Sequence, residues 1–218
     1  MSSVRWLLVD YGGVLAFSHL PDAEVQLASL FRCEISALRS AITEKSELGE
    51  MIRLDRISEG EFWNAVAGQL MGKARAPKNA GELTRLWAAS YRIDPTVAQA
   101  LKEVELQGAR IGIATNVDRY REQHMVAAIG AAGLKAGIFP SYRLGAIKPS
   151  QVFFEQVESE IAEPSRVKPA IGFVDDRPEH VAAAITFGWT AGRYSQDPGI
   201  FFDLAGLSRP VHYGGTDA

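Results

Sequence analysis

Short apolar runs and amphipathic stretches follow one another along this 218-residue chain, and their order predicts its architecture. The first apolar run consists of Val4 and residues 6–9, and such a run without alternation is typical of a buried strand in a parallel sheet. A polar, glycine-containing segment that begins at Asp10 ends this strand. From about residue 21 to residue 91 the apolar positions recur at helical spacing, which predicts a group of helices.

Beyond residue 92 the predicted helices and strands alternate. Asp94 followed by Pro95 is typical of the start of a helix. Further strands are predicted at residues 111–114, 137–139, 170–174 and 190–194, and helices at residues 118–132, from Lys148 and from Pro178. Because such alternation produces right-handed crossovers, the chain is predicted to be an α/β protein with a doubly wound parallel sheet.

The composition is that of an ordinary globular protein, with 47% hydrophobic residues, 22% charged residues and a formal net charge of -3. The length suits one domain, or one domain that carries a sizeable insertion. The slightly acidic balance argues against a nucleic-acid partner, since proteins that bind nucleic acid usually carry a basic stripe. No apolar run approaches the length of a membrane span or a signal peptide, so we expect a cytoplasmic protein without a membrane partner. The sequence allows a homodimer and does not decide the oligomeric state.

Polar side chains stand where the predicted strands end, and a lysine opens a predicted helix between them. These residues are Asp10, Thr115, Asn116, Lys148, Asp175 and Asp176. In a doubly wound sheet, ligands bind in the crevice outside the carboxyl ends of the strands. We therefore expect these side chains to converge on one site.

These residue types suit phosphate chemistry. Neighbouring carboxylates repel one another unless a cation lies between them, and oxygen-only ligands favour a hard ion such as Mg²⁺. A cation and a lysine together neutralise a phosphate dianion, which allows an aspartate to attack phosphorus and form an aspartyl-phosphate. The Thr115 hydroxyl and the Asn116 amide can donate hydrogen bonds to oxygens of the transferred group.

The same residues lie in four motifs whose order and spacing closely resemble those of the haloacid dehalogenase (HAD) superfamily of hydrolases. The motifs are LLVDYGGVL at residues 7–15, IGIATN at 111–116, GAIKP at 145–149 and IGFVDD at 171–176. Each motif alone is weakly specific, but four in order over nearly the whole chain are a strong signal. The resemblance is to phosphatase-like members and implies a Rossmann-like core.

The resemblance implies which residues act on the substrate. Asp10 is expected to be the catalytic nucleophile, and Lys148 is expected to be the second catalytic residue. Lys148 is also expected to bind the substrate, together with Thr115 and Asn116, by holding the oxygens of its phosphoryl group. The implied substrate is a small phosphorylated metabolite.

The resemblance likewise implies a Mg²⁺ cofactor and its ligands. Asp10 and Asp176 are expected to supply carboxylate oxygens to the ion, and Gly12 is expected to supply its backbone carbonyl. Asp175 is expected to lie in the outer shell of the same ion. The implied reaction is Mg²⁺-dependent hydrolysis through an aspartyl-phosphate on Asp10.

The long separation between the first and second motifs implies a helical cap of the C1 type inserted after the first motif. The helical pattern of residues 21–91 agrees with it. The implied division is a core of residues 1–18 and 92–218 and a cap of residues 19–91. Arg53 and Arg56 in this segment could contact an anionic substrate, although such charges more often lie on a solvated helix face.

One position departs from the family pattern. Gly12 stands where most members have a second aspartate, which acts as general acid for the leaving group and then as base for water. Glycine keeps the backbone carbonyl but not this acid–base role, which is worth about 10²–10⁴ in rate. A good leaving group, a water molecule, or a side chain such as His19 or Tyr11 could compensate.

Two alternatives stay open at this point. Dehalogenases of the superfamily act on 2-haloacids without a metal and also lack the second aspartate, but they typically do not keep the acid pair that is present here as Asp175 and Asp176. A catalytically weakened binding protein is the other alternative, with Gly12 as a sign of decay. The tryptophans are expected to be packing residues. His124, His180 and His212 lack metal-ligand spacing and are expected on the surface.

Overall fold

The computed structural model describes residues 5–18, 21–161 and 170–213. The strands of this part of the chain are β1 (Arg5–Val9), β2 (Ala16–Ser18), β3 (Tyr91–Ile93), β4 (Arg110–Thr115), β5 (Ala136–Pro140), β6 (Ala170–Asp175) and β7 (Thr190–Arg193). Its α-helices are α1 (Pro21–Leu30), α2 (Ile35–Ile42), α3 (Glu47–Arg53), α4 (Glu59–Met71), α5 (Ala80–Ala89), α6 (Pro95–Leu106), α7 (Arg119–Ala131), α8 (Ser141–Leu144), α9 (Gln151–Ile161), α10 (Pro178–Phe187) and α11 (Gly199–Ala205). None of these helices combines the length and the apolar character needed to cross a bilayer.

Five strands form one parallel sheet in the order β5–β4–β1–β6–β7. The chain runs from the central β1 to β4 and β5 on one side, and later to β6 and β7 on the other side. The carboxyl end of β1 is therefore a topological switch point, which is where open α/β sheets bind their ligands. The predicted doubly wound parallel sheet is confirmed.

Side chains of β1 alternate between two hydrophobic cores, one on each face of the sheet. Leu7 and Val9 pack with residues of α6, α7 and α11, whereas Leu8 packs with residues of α8, α9 and α10. All three side chains are fully buried. Because both faces are covered, β1 is apolar from Trp6 to Val9, and charged residues stand only at its two ends, as Arg5 and Asp10.

Helices α1 to α5 form a separate group with a hydrophobic core of its own, built around Phe31, Trp63 and Trp87. The two short strands that flank this group, β2 and β3, pair antiparallel with each other. The segment by which the chain leaves the five-stranded sheet and the segment by which it returns therefore lie side by side. The division into a core and a cap of residues 19–91 stays a prediction.

Several elements differ from the sequence-based expectation. The β2–β3 ribbon, α8 and α11 were not predicted, because elements of three to seven residues are too short to show a period and depend on distant partners. Helix α9 begins at Gln151 rather than at Lys148. A turn closed by the Ser150 N–H and the Ile147 carbonyl precedes it, so Lys148 lies in the connection before the helix.

Candidate active site

The structure brings the predicted site residues together at the carboxyl ends of β1, β4 and β6. Asp10 follows β1, Thr115 ends β4, and Asp175 ends β6. Lys148 reaches the same point from the connection before α9, where its ammonium lies between two of the carboxylates. A cavity of about 520 Å³ opens over these strand ends, and Asp10, Thr115 and Asp176 line it.

Asp10 is held from both sides, and only 8% of it is exposed. Its N–H donates to the Val174 carbonyl at 2.9 Å, which fixes the residue against β6. Its Oδ1 accepts the Tyr11 N–H at 2.8 Å and lies 3.0 Å from Lys148 Nζ. Burial raises the pKa of Asp10, and the nearby Asp175 raises it further, while Lys148 opposes both.

Lys148 joins two carboxylates in the interior. Its Nζ donates to Asp175 Oδ2 at 2.6 Å and lies 3.0 Å from Asp10 Oδ1. Burial alone would lower the pKa of Lys148, but these two carboxylates outweigh it and raise the pKa. The lysine is therefore a buried positive charge fixed beside the predicted nucleophile.

Asp175 is fully buried and all of its oxygens have partners. Oδ2 accepts from Lys148 and lies 3.0 Å from His180 Nδ1, while Oδ1 accepts the Arg177 N–H at 2.9 Å. Burial would raise the pKa of Asp175, but Lys148 and His180 outweigh burial and lower it. A direct bond from Asp175 to a metal ion would compete with these contacts. Its expected place in an outer shell stays a prediction that this geometry favours.

The expectation that His180 lies on the surface is wrong, because only 1% of this residue is exposed. It lies in the first turn of α10, five positions after Asp175, so its ring reaches back to the end of β6. His124 and His212, for which the same position is expected, are exposed. The sequence contained no spacing that singled out His180.

Asp176 completes a cluster of three carboxylates. One ligand atom from each of Asp10, Asp175 and Asp176 lies within 4.8 Å of the others. Burial, with repulsion from Asp10 and Asp175, raises the pKa of Asp176 to about 6. Gly13 allows this approach, because a β-carbon there would lie 2.4 Å from Asp176 Oδ2. Carboxylates that repel one another in this way suit a hard divalent cation, and the donor set therefore fits Mg²⁺.

Asn116 is engaged by protein groups on every side. Its side-chain Nδ2 donates to Glu44 Oε2 at 2.9 Å and to the Lys148 carbonyl at 3.0 Å, and its Oδ1 accepts the Lys148 N–H at 2.8 Å. The side chain therefore holds the backbone of Lys148 in place. Contact between its amide and a phosphoryl group stays a prediction. The Thr115 hydroxyl hydrogen-bonds to the Asp10 carboxyl and, like Lys148, partly opposes the rise in the pKa of Asp10 that burial causes.

Glu44 belongs to the site although no sequence motif pointed to it. It follows α2, lines the cavity, and contacts Asn116, Arg177 and His180. Its contacts join the helical group of α1 to α5 to the ends of β4 and β6. Only the tertiary structure brings it there, since Glu44 and Asn116 are 72 positions apart.

Gly12 lies against the ring of Tyr91. A β-carbon at Gly12 would lie 3.4 Å from Tyr91 Cε1, which is an ordinary van der Waals contact. Both residues line the cavity, and the Tyr91 ring packs against that of Tyr11 with centroids 6.2 Å apart. Burial raises the pKa of Tyr11 to about 12. His19, another considered substitute for the missing aspartate, lies outside the described residues.

The two arginines singled out in the helical segment have different surroundings. Arg56 is exposed and pairs with Glu50 at 3.7 Å. Arg53 is only 6% exposed and lines the cavity. The expectation that its charge lies on a solvated helix face is therefore wrong. Its Nε donates to the Asn116 carbonyl at 3.1 Å, next to the end of β4.

Comparisons with known proteins agree with this fold. A HAD family enzyme from Bacteroides thetaiotaomicron has a TM-score of 0.67 at 15% identity, over 89% of this chain and 95% of its own. Its complex with magnesium and inorganic phosphate has a TM-score of 0.67 at 14% identity, over 88% of this chain and 94% of its own. An L-2-haloacid dehalogenase from Xanthobacter autotrophicus with chloropropionic acid covalently bound has a TM-score of 0.58 at 17% identity, over 95% of this chain and 85% of its own.

No family model matches the sequence, and no curated protein matches it significantly. The solved structures share under a fifth of their residues with this chain, so what they establish is its architecture. That architecture, a parallel sheet with the order β5–β4–β1–β6–β7 and acidic residues at its central strand ends, agrees with the resemblance of the four motifs. The chain has the fold of the HAD-like hydrolases.

Proposed function

We propose that this chain is a Mg²⁺-dependent hydrolase of small phosphate monoesters, with the Asp10 carboxylate as nucleophile. The observation that carries the proposal is the cluster of Asp10, Asp175 and Asp176, whose ligand atoms lie within 4.8 Å of one another. The buried Lys148 neutralises part of the negative charge of these carboxylates, and a divalent cation would neutralise the rest. The similar fold of an enzyme solved with magnesium and inorganic phosphate supports the same assignment.

Asp10 and Asp176 would hold the ion, with the Gly12 carbonyl as a third protein ligand. When bound, Mg²⁺ supplies positive charge that stabilises the phosphoryl oxygens during transfer. Asp175 accepts a hydrogen bond from Lys148 and contacts His180, so it would hold these two side chains in position within the site. The raised pKa of Asp176, about 6, is the mark of carboxylates held together against their repulsion.

In the first step, a carboxylate oxygen of Asp10 attacks the phosphorus atom of the ester. The new bond gives an aspartyl-phosphate, and the bond from phosphorus to the ester oxygen breaks with its electron pair on the leaving alcohol. Lys148, 3.0 Å from Asp10 Oδ1, neutralises negative charge that gathers on the phosphoryl group. Thr115 would donate its hydroxyl hydrogen to one of the phosphoryl oxygens.

In the second step, water attacks the phosphorus atom, inorganic phosphate leaves, and the Asp10 carboxylate is restored. Each step needs a proton to move, to the leaving alcohol first and from water afterwards. Gly12 has no side chain for either task. The activity would therefore favour esters whose leaving group departs readily without a proton, because protonation matters least for them.

Helices α1 to α5 would act as a cap that closes over the substrate. Two hydrogen bonds join this group to Asn116, which follows β4. Arg53 Nε donates to the Asn116 carbonyl at 3.1 Å, and Asn116 Nδ2 donates to Glu44 Oε2 at 2.9 Å. The Ser141 hydroxyl donates to the Arg53 carbonyl at 2.9 Å from the other side. A closed cap excludes water during transfer and lets its residues select the substrate.

The test is phosphate release from a panel of small phosphate esters that spans good and poor leaving groups, in Mg²⁺ and in EDTA. The proposal requires turnover in Mg²⁺ that is lost in EDTA and lost in the Asp10→Asn variant. Asp55→Asn, a carboxylate outside the cavity that pairs with Arg119, is the matched control and should keep its rate. A panel without any release by the wild-type protein would rule out the proposal.

A metal-independent 2-haloacid dehalogenase is the second candidate. Gly12 and the similar fold of a dehalogenase with covalently bound chloropropionic acid favour it. There Asp10 would attack carbon, and halide would leave. The acid pair Asp175 and Asp176 argues against it, because clustered carboxylates are costly without a cation. Halide release from 2-chloropropionate that persists in EDTA, with no phosphate release, would establish this candidate instead.

A further inference from the structure

A second cluster of charged side chains lines the same cavity, apart from the carboxylates. Arg53 comes from the end of α3, Arg121 from the first turn of α7, and Trp87 from α5. Both guanidinium groups lie against the Trp87 ring, at 5.4 Å for Arg53 and 3.5 Å for Arg121, measured from the guanidinium carbon to the ring centroid. Two buried arginines on one tryptophan need an explanation, because bringing like charges together in the interior is unfavourable.

Arg121 is incompletely paired. It is 9% exposed, and its Nε donates to Asp118 Oδ2 at 2.6 Å. Its Nη2 is buried without a hydrogen-bond partner among the described residues. A buried donor that makes no hydrogen bond costs free energy, so a ligand that accepts from it would be favoured.

Arg53 has no carboxylate partner in the part of the chain that the structure describes. Its donors go to three backbone carbonyls, those of Ile42 at 3.2 Å, Gly49 at 2.7 Å and Asn116 at 3.1 Å. Burial, with repulsion from Arg121, lowers the pKa of Arg53 to about 9. These carbonyls fix the guanidinium beside the cavity, and the charge of Asp118, which favours the protonated form, compensates its positive charge only in part.

The charges of the cluster do not balance. Arg53 and Arg121 contribute two positive charges, and Asp118 is the one carboxylate that pairs with either of them within the described ranges. Asp118 also caps α7, accepting from the N–H groups of Tyr120 and Arg121, so its charge is shared further. One anionic group bound in the cavity would bring the cluster to neutrality.

We propose that Arg53 and Arg121 form a subsite for a carboxylate carried by the substrate, so that the chain prefers, among phosphate monoesters with similar leaving groups, those that also carry a carboxylate. The assignment to a substrate rests on the proposed phosphohydrolase function. A carboxylate fits because guanidinium donors recognise its two oxygens, and Trp87 supplies a flat wall that holds Arg121 in place. Both sites line one cavity of about 520 Å³, which has room for a small acid phosphorylated at its other end.

The test uses two pairs of esters that differ only in a carboxylate and a hydroxymethyl group. The short pair is 3-phosphoglycerate and glycerol 3-phosphate, and the long pair is 6-phosphogluconate and sorbitol 6-phosphate. For at least one pair, the wild-type protein should have a kcat/KM about 10- to 100-fold higher for the acid, as expected for a charge-assisted hydrogen bond in a buried site. Arg121→Gln and Arg53→Gln should bring this ratio close to one, mainly through KM of the acid.

Arg119→Gln is the matched control on the same helix, because Arg119 is exposed, pairs with Asp55 and does not line the cavity. It should keep the ratio of the wild-type protein. Arg121→Lys keeps the charge beside Asp118 but loses the second donor, so it should give an intermediate ratio. If Arg121→Gln does not fold, Arg121→Lys and Arg53→Gln decide the question.

Binding separates the two proposals. The Asp10→Asn variant in Mg²⁺ is titrated with both members of each pair by calorimetry, and tighter binding of the acid supports the subsite without any turnover. Preference for the acid in binding, with no phosphate release by the wild-type protein, would uphold the subsite and overturn the phosphohydrolase function. Turnover with equal kcat/KM for acid and alcohol in both pairs would overturn the subsite and leave the function standing.

Discussion

The Lys148 ammonium lies 2.6 Å from Asp175 Oδ2, and neither side chain is exposed to solvent. Replacing Lys148 with methionine would leave this buried carboxylate, and that of Asp10, without the positive charge they share. We expect Lys148→Met to lower the free energy of unfolding by about 3–5 kcal/mol, the usual cost of breaking a buried ion pair by removing one partner. Urea unfolding in EDTA measures this change.

The matched control for Lys148→Met is Lys45→Met. Lys45 pairs with Glu179 at 3.1 Å, but its side chain is 69% exposed, so its removal should cost at most about 1 kcal/mol. Mg²⁺ should recover part of the stability that Lys148→Met loses, since a cation bound by Asp10 and Asp176 would replace some of the lost charge. Equal losses in the two variants would mean that the Lys148 pair contributes no more than a surface pair.

Gly13 is the residue that lets Asp176 approach the other carboxylates. A β-carbon at Gly13 would lie 2.4 Å from Asp176 Oδ2, and the φ of Gly13 is +84°, which disfavours any side chain. Gly13→Ala should therefore displace Asp176 and weaken Mg²⁺ binding about 10- to 100-fold, as displacing the support of a metal ligand typically does. Calorimetric titration with Mg²⁺ measures the dissociation constant.

Gly72→Ala is the control for Gly13→Ala, because it introduces backbone strain at a positive φ without a clash with Asp176. Gly72 also has a positive φ, +64°, but a β-carbon there meets no atom within 4 Å, and it caps α4 away from the cavity. This variant should lose some stability and bind Mg²⁺ as the wild-type protein does. If Gly13→Ala also keeps the wild-type affinity, Asp176 does not ligate the ion in the position seen here.

Much of the site could be predicted because strand ends are neighbours in a parallel sheet. Asp10, Thr115 and Asp175 follow apolar runs that are continuous along the sequence, so each marks the end of a buried strand. The register then places these ends side by side, with Val9 opposite both Ile113 and Val174. Local pattern and sheet geometry were sufficient for this part of the site.

The remainder depends on contacts between segments that are distant in sequence. Glu44 reaches Asn116 across 72 positions, and Arg53 reaches the same residue across 63. No local period distinguishes a charged side chain that turns toward a cavity from one that faces water, so the sequence favours a surface position for Arg53. The sequence predicts a surface position for His180 for the same reason, since its partner, Asp175, lies in another element.

Mg²⁺ binding should depend on pH through Asp176. Burial and repulsion from Asp10 and Asp175 raise its pKa from an ordinary 3.8 to about 6. The folded metal-free protein therefore holds this proton more tightly than the unfolded chain does. The resulting contribution to stability is complete below about pH 3.8 and is lost as the pH rises through about 6.

Because a proton and a metal ion compete for the same carboxylate, the affinity for Mg²⁺ should be nearly constant above about pH 7. Below about pH 6 it should fall roughly tenfold per pH unit for the one proton displaced. Calorimetric titrations at several pH values across this range measure the dependence. Asp176→Asn should bind more weakly and lose the dependence near pH 6. A wild-type affinity that does not change across the range would contradict the raised pKa.

Gly12→Asp should restore the acid–base group that the chain lacks. A β-carbon at Gly12 would lie 3.4 Å from Tyr91 Cε1, which is an ordinary contact, and Gly12 lines the cavity together with Asp10, so we expect the new carboxylate to enter the cavity. For an alkyl phosphate, whose leaving group needs a proton, we expect kcat to rise by about 10²–10⁴. For 4-nitrophenyl phosphate, whose leaving group departs without one, the rise should be much smaller. Steady-state kinetics on both esters measure the two ratios.

Gly12→Asn is the matched control, because it adds a side chain of the same shape that cannot exchange a proton. It should leave both rates near those of the wild-type protein. The pH–rate profile of Gly12→Asp should also gain an ionisation that neither Gly12→Asn nor the wild-type protein shows. Equal rises for the two esters would mean that the new carboxylate acts on the metal ion or the nucleophile. A fall for both would mean that the tyrosine packed against Gly12 leaves no room for it, and that the absence of this aspartate is built into the site.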